Sequence, residues 1–129
     1  METCYVVAER FSSADLMHGP IALVERSFPV FVFAPSGVTW PSTSAVLARL
    51  EELKAEILVI TDESNPQAGT RAARLIQMPF PLASSNGLPD LYTPIPYIIP
   101  AQLFAAQLAA IKGLNPDRPR TLQKVTRTM

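Results

Sequence analysis

Two short apolar runs with an amphipathic segment between them limit what this chain can fold into. "FPVFVFAP" at residues 28–35 and "EILVITD" at residues 56–62 are continuous, rich in Val, Ile and Phe, and bounded by proline or charge. Runs of this length, apolar without alternation, read as strands buried on both faces of a parallel sheet. Between them "SAVLARLEELKA" places Val46, Leu47, Leu50 and Leu53 on one helical face, with Ser42 or Thr43 predicted at its N-cap. Strand, helix and strand at this spacing form a βαβ unit, which commits the chain to α/β architecture.

The flanking sequence extends that unit. "ESNPQAGTRAA" reads as a loop with a turn of helix, and "RLIQMPFP" at residues 74–81 as a third strand stopped by proline. "LASSNGLPDLYTPIP" is a turn-rich connection. "YIIPAQLFAAQLAAIKG" at residues 97–113 predicts a helix with Pro100 in its first turn and Gly113 just past its end. That helix is apolar nearly all round, the pattern of deep burial or a subunit interface. The tail after Pro116 reads as extended, with a last turn around Leu122. No strand is predicted before the first helix-like segment, so the chain reads as the back half of a larger α/β domain.

Composition bounds the function. With 129 residues, 48% of them hydrophobic and 17% charged, one domain with a real core is expected. Eleven basic and eleven acidic residues cancel, which disfavours a nucleic-acid or anionic-membrane surface. Cys4 is the single cysteine, so a reducing compartment is the default and the expected location is cytoplasmic. No signal peptide is evident, and no run of about 18 uninterrupted apolar residues predicts a membrane span.

Four places carry possible chemistry. "PSGVTWPSTS", after the first strand and before a helix, occupies the position of phosphate-binding loops, but one glycine and no Walker spacing favour plain helix capping and a turn. Asp62 and Glu63 lie at the carboxyl end of the second strand, where α/β folds place ligands; solvated loop charges are the simpler reading, and no metal site is expected from one histidine and irregular carboxylates. Cys4 has no histidine near it in sequence and is a poor candidate nucleophile. His18 is the only histidine, set against Gly19 and Pro20; on composition alone it is structural more often than catalytic.

Read together, "ETCYVVAERFSSADLMHGPIALVE", "FPVFVFAPSG", "ILVITDE" and "KGLNPDRPRTLQKVTRT" resemble the second sugar-isomerase (SIS) domain of the hexosamine-phosphate enzymes. That group includes the isomerase half of glutamine–fructose-6-phosphate aminotransferase and the SIS-type glucosamine-6-phosphate deaminases. "HGPIAL" and "DRPRTLQKVT" are the specific signals, and the resemblance covers essentially the whole chain. It implies a three-layer αβα, flavodoxin-like fold with a parallel sheet, here an incomplete half: residues 1–129 as the C-terminal portion of one SIS domain.

The resemblance also assigns roles. The family's helix-borne glutamate lies sixteen residues before the histidine of its HGP motif, as Glu2 lies before His18. The family's near-terminal lysine sits in a Pro-x-x-Leu-x-Lys pattern, matched by Pro119, Leu122 and Lys124. Carried over, Glu2 moves a proton between C1 and C2 of an open-chain sugar and His18 assists ring opening in the neighbouring subunit of a homodimer. Lys124 lies over the sugar carbonyl, and Gln123 offers backbone contacts. No cofactor or metal is implied.

Two departures qualify the match. "FSSADLMHGP" and "KVTRT" lie nearer the deaminase-like proteins, since the aminotransferases more usually read Gly-Glu-Leu-Lys-His-Gly-Pro at the first motif. The family's Ser/Thr-rich phosphate loop and a lysine three residues before the glutamate fall upstream of Met1. The expectation is an aminosugar-phosphate isomerase or deaminase acting on glucosamine or fructose 6-phosphate, with these residues inactive by themselves. The alternatives are a non-catalytic phosphosugar sensor and a fragment that acts only in dimerisation.

Overall fold

A computed structural model describes residues 3–79 and 92–118. Its contacts divide into two compact units, one of Phe11–Ile98 and one of Met1–Arg10 with Ile99–Met129.

The first unit holds the βαβ core. Strand β1 (Pro29–Phe33), β2 (Glu56–Asp62) and β3 (Arg74–Met78) form a parallel sheet in the order β1-β2-β3. Phe31 pairs with Leu58, and Ile60 pairs with Ile76. A short helix α1 (Ser13–Met17) and a 3₁₀ turn (Pro20–Leu23) precede β1. Helix α2 (Trp40–Glu52) joins β1 to β2, and a 3₁₀ segment (Pro66–Arg71) joins β2 to β3.

Side chains alternate across a strand, so Val30, Val32 and Ala34 share the face that also carries Ile57 and Val59. This face packs on Val46, Leu47 and Leu50 of α2, with Val24 and Ala68 closing the cluster. Leu50 is fully buried, and burying each such side chain contributes about 1.5–3 kcal/mol. The opposite face is less covered along β1, where Phe31 and Phe33 remain 40% and 42% exposed.

Helix α2 begins earlier than its sequence pattern implied. Its N-cap is Thr39, not Ser42 or Thr43, and Pro41 occupies the first turn, where a missing N–H costs nothing. Ser42 and Thr43 instead donate their hydroxyls to the Thr39 carbonyl, at 2.9 and 3.1 Å. The helix ends with two closing bonds, Lys54 N to Glu51 O and Ala55 N to Leu50 O. This Schellman arrangement forces Lys54 to a left-handed φ of 58°.

Helix α3 (Pro94–Ile111) starts three residues before the predicted helix, so Pro100 lies in its interior. Pro94 and Pro96 fit the first turn, but Pro100 removes one i→i−4 bond, a defect worth about 3 kcal/mol in an isolated helix. The Ala-, Leu- and Gln-rich residues that follow sustain the helix regardless. Its C-terminus repeats the closure of α2, with Gly113 N bonded to Ala110 O and Leu114 N to Ala109 O. Here the left-handed position, φ 66°, is filled by glycine, as the sequence predicted.

One expectation changes at this level. Deep burial of α3 does not hold: Ile95, Ile99 and Leu103 are 67%, 51% and 58% exposed. By length and composition alone this helix is also long and apolar enough to cross a membrane. Gln102 and Gln107 fall within it, so it is not an uninterrupted apolar run and the expectation of no predicted membrane span is unchanged.

Candidate functional site

His18 is the one predicted site residue within the described part of the chain. Ser12 caps α1, its Oγ accepting the Asp15 backbone N–H at 3.1 Å while donating to Asp15 Oδ2 at 2.7 Å. The helix lasts five residues and ends on His18, whose backbone N–H closes on Asp15 O at 3.2 Å. Gly19 then takes φ 158° and ψ −53°, and the chain enters the 3₁₀ turn at Pro20. Helix end, glycine and proline together hold the His18 side chain out into solvent, where it is exposed. An exposed imidazole at a fixed turn can take or give a proton to a molecule arriving from outside.

Glu2, Gln123 and Lys124 lie outside the described residues. The segment just after Glu2 is a turn at Thr3–Tyr5, not the helix that the resemblance implied for this region. Tyr5 sits at φ 49°, incompatible with a right-handed helix, and the β-branched pair Val6-Val7 follows. Helical structure resumes only where Ser12 supplies a cap.

Cys4 is buried and free. Its thiol donates to the Ala105 carbonyl at 2.9 Å, and its own carbonyl accepts Lys112 Nζ at 2.7 Å. Burial and a backbone partner agree with its reading as a non-nucleophile.

The carboxyl ends of β1 and β2 carry a polar cluster. Asp62 is buried, which overturns its reading as a solvated loop charge; Glu63 beside it is exposed. Asp62 is the last residue of β2, whose final four residues are all buried, and Glu63 is the first residue beyond the strand. Asp62 Oδ1 accepts the Ser64 backbone N–H at 2.7 Å and also the Ser64 hydroxyl, and Oδ2 accepts the Tyr97 hydroxyl at 2.6 Å. Burial, followed by the bond to Asp62 and its charge, pushes the Tyr97 hydroxyl well above the usual tyrosine range.

Proton counting sets the character of this corner. The single Ser64 hydroxyl proton goes to Asp62, so in the 2.7 Å contact between Ser36 Oγ and Ser64 Oγ the proton comes from Ser36. Thr61 Oγ1 and Asn65 Nδ2 donate to Ala34 O at 2.8 and 3.1 Å, tying the loop after β1 to that after β2. The Ser64 hydroxyl donates to the buried Asp62 carboxylate and Ser36 to Ser64, while Ser42 and Thr43 donate to the Thr39 carbonyl. The loop therefore turns, as the simpler sequence reading held, but its hydroxyls do not cap α2, whose N-cap Thr39 makes no side-chain capping bond. Tyr97 and the two serines escaped the sequence reading; the usable signal was an Asp ending a buried strand two residues before a serine.

A parallel sheet with α2 on one face and a His-Gly-Pro turn leading into its first strand defines an α/β domain of the sugar-isomerase type. The SIS domain profile matches residues 1–112, and the chain belongs to the SIS domain family. It is 40% identical over 126 residues to glutamine–fructose-6-phosphate aminotransferase [isomerizing] of Pyrococcus horikoshii, across 95% of this chain and 19% of that protein. The enzyme of the same name from Tropheryma whipplei (strain TW08/27) is 39% identical over 127 residues, across 95% of this chain and 20% of its own length. The chain thus spans about a fifth of the curated relatives it matches. The C-terminal domain of glucosamine-fructose-6-phosphate aminotransferase from Francisella tularensis superposes with a TM-score of 0.70 at 23% identity, covering 90% of this chain and 31% of that one, which establishes the shared fold.

Proposed function

We propose that this SIS domain binds a hexose 6-phosphate and carries the catalytic residues for aldose–ketose isomerisation. The observation that carries the reading is 40% identity over 95% of the chain to an enzyme named as an isomerizing fructose-6-phosphate aminotransferase. Glu2 is the base that moves a proton between C1 and C2, a carboxylate set against a carbon acid. His18 protonates or deprotonates the ring oxygen, and its exposure suits presentation to the site of a second copy. The neutral amine of Lys124 attacks the C2 carbonyl of the open-chain ketose, and loss of water gives a Schiff base. Gln123 offers backbone contacts to the sugar. The aldose–ketose step is common to the aminotransferases and the deaminases, and the relatives described above carry aminotransferase names.

The test uses fructose 6-phosphate and borohydride on these residues within a longer chain that supplies the family's phosphate loop; the 129 residues alone are expected to show neither trapping nor exchange. Hydride trapping followed by peptide mass analysis is expected to label Lys124, with Lys54 and Lys112 as internal controls. In D2O, deuterium is expected to enter the sugar at C1 or C2, and Glu2→Gln is expected to abolish that exchange while trapping persists. Labelling spread evenly over the three lysines, or exchange unaffected by Glu2→Gln, would defeat the assignment.

A further inference from the structure

His18 stands on a stretch of chain that is anchored on either side of it. Leu16 before it and Ile21 after it are half-buried against the hydrophobic core, while Met17, His18 and Gly19 between them are exposed. The anchors fix where the segment runs, but the direction in which His18 leaves it is set by α1. Leu16 N–H donates to Ser12 O at 3.0 Å, and the closing bond of the helix is made by His18 itself, whose N–H donates to Asp15 O at 3.2 Å.

Helix α1 has five residues, none of them buried. So short a helix lies far below the length at which its own backbone bonds sustain it, because nucleation is unfavourable. Ser12 and Asp15 supply the missing support: Ser12 Oγ accepts the Asp15 N–H at 3.1 Å and donates to Asp15 Oδ2 at 2.7 Å. In the usual capping box the acidic side chain reaches back to the N-cap backbone N–H. Here it accepts the N-cap hydroxyl instead, so one serine hydroxyl holds both the main chain and the side chain of Asp15. Two exposed hydrogen bonds add little to the stability of a whole domain. Their effect falls on the turn that ends at His18.

We propose that Ser12 and Asp15 are positioning residues for His18, an inference that rests on the reading of His18 as the acid and base for the sugar ring oxygen. Asp15 links the two: its N–H and carboxylate are tied to Ser12, and its carbonyl receives the His18 N–H. Fixing Asp15 therefore fixes the direction of the His18 Cα–Cβ bond, without either residue touching the sugar. An exposed side chain is held less by packing, so that backbone direction governs where the imidazole reaches. Proton transfer needs heavy atoms within hydrogen-bond reach, and a misplacement of about 1 Å costs on the order of a hundredfold in rate. Losing an N-cap side chain lowers the population of a helix roughly fivefold.

The first measurement is 13Cα relaxation at His18 in the full 129-residue chain. Wild type, Ser12→Thr and Asp15→Asn, which keep the hydroxyl and its acceptor, are expected to give order parameters near about 0.85; the double variant Ser12→Ala with Asp15→Ala is expected to fall below about 0.6. Unchanged shifts at Val24, Leu47 and Leu50 report that the core is intact. The second readout is deuterium exchange in the longer chain used for borohydride trapping. It compares fructose 6-phosphate with its 5-deoxy analogue, which lacks the ring-closing hydroxyl and stays open. The double variant is expected to lose on the order of tenfold with the first sugar and less than about twofold with the second. His18→Asn is expected to show the same split. Disorder at His18 already present in wild type, or order retained in the double variant, overturns the proposal. So does an equal loss with both sugars where His18→Asn separates them. If His18→Asn does not separate them, the ring-opening reading fails and the order parameters alone decide the positioning.

Discussion

Tyr97 shows how one side chain can carry a disproportionate share of stability. It is 3% exposed, and its hydroxyl meets a carboxylate that is itself 1% exposed. Removing the hydroxyl leaves Asp62 short of one donor in a place water does not reach, so Tyr97→Phe is expected to cost about 1–3 kcal/mol in chemical denaturation. The alkaline side follows from the raised ionisation of Tyr97. The folded chain holds the phenolic proton more tightly than the unfolded chain, so this stabilisation is complete below a pH of about 10 and is lost as the pH rises past it. Urea midpoints between pH 8 and 11 are expected to fall more steeply for wild type than for Tyr97→Phe. None of this was visible in the sequence, where Asp62 and Tyr97 stand far apart with a turn-rich connection between them.

At the scale of elements, α2 and α3 end in the same hydrogen-bonded closure with different residues at the left-handed position. Gly113 satisfies the second at no steric cost and was legible in advance, because glycine after a periodic apolar segment is a stop signal. Lys54 does the same work against its own Cβ. A left-handed non-glycine residue costs roughly 1–2 kcal/mol, partly offset by the greater unfolded-state entropy of glycine. Lys54→Gly is therefore expected to raise stability by roughly 0.5–1 kcal/mol, measured by denaturant midpoint. Lys54 keeps its place because the turn is also fastened from outside, its carbonyl accepting Ser27 N–H at 2.8 Å. The start of α2 was misread for a related reason: Ser42 and Thr43 look like caps, but their hydroxyls serve a carbonyl one turn earlier.

On the scale of the whole molecule, the family match extends over residues 1–112 while the curated relatives run to about five times this length. If His18 serves the site of a second copy, two separately inactive variants should rescue each other. Mixed Glu2→Gln and His18→Asn chains are expected to recover about a quarter of wild-type exchange, since random pairing across a two-fold makes half the dimers mixed, each with one complete site. Recovery of nothing would place His18 in the same copy as Glu2.

The parallel sheet and its covering helix were legible in the sequence, because short Val-, Ile- and Phe-rich runs bounded by proline or charge suit buried strands and the one-faced segment between them suits a covering helix. So was the turn that presents His18, because a capped short helix followed by Gly-Pro leaves the chain few choices. Which polar groups are buried was decided by tertiary structure alone. Asp62 and Tyr97, and Cys4 with Ala105 and Lys112, meet across sequence separations of 35, 101 and 108 residues. Local pattern reports on the next turn or the next strand position, whereas a buried hydrogen bond depends on where distant segments come to rest.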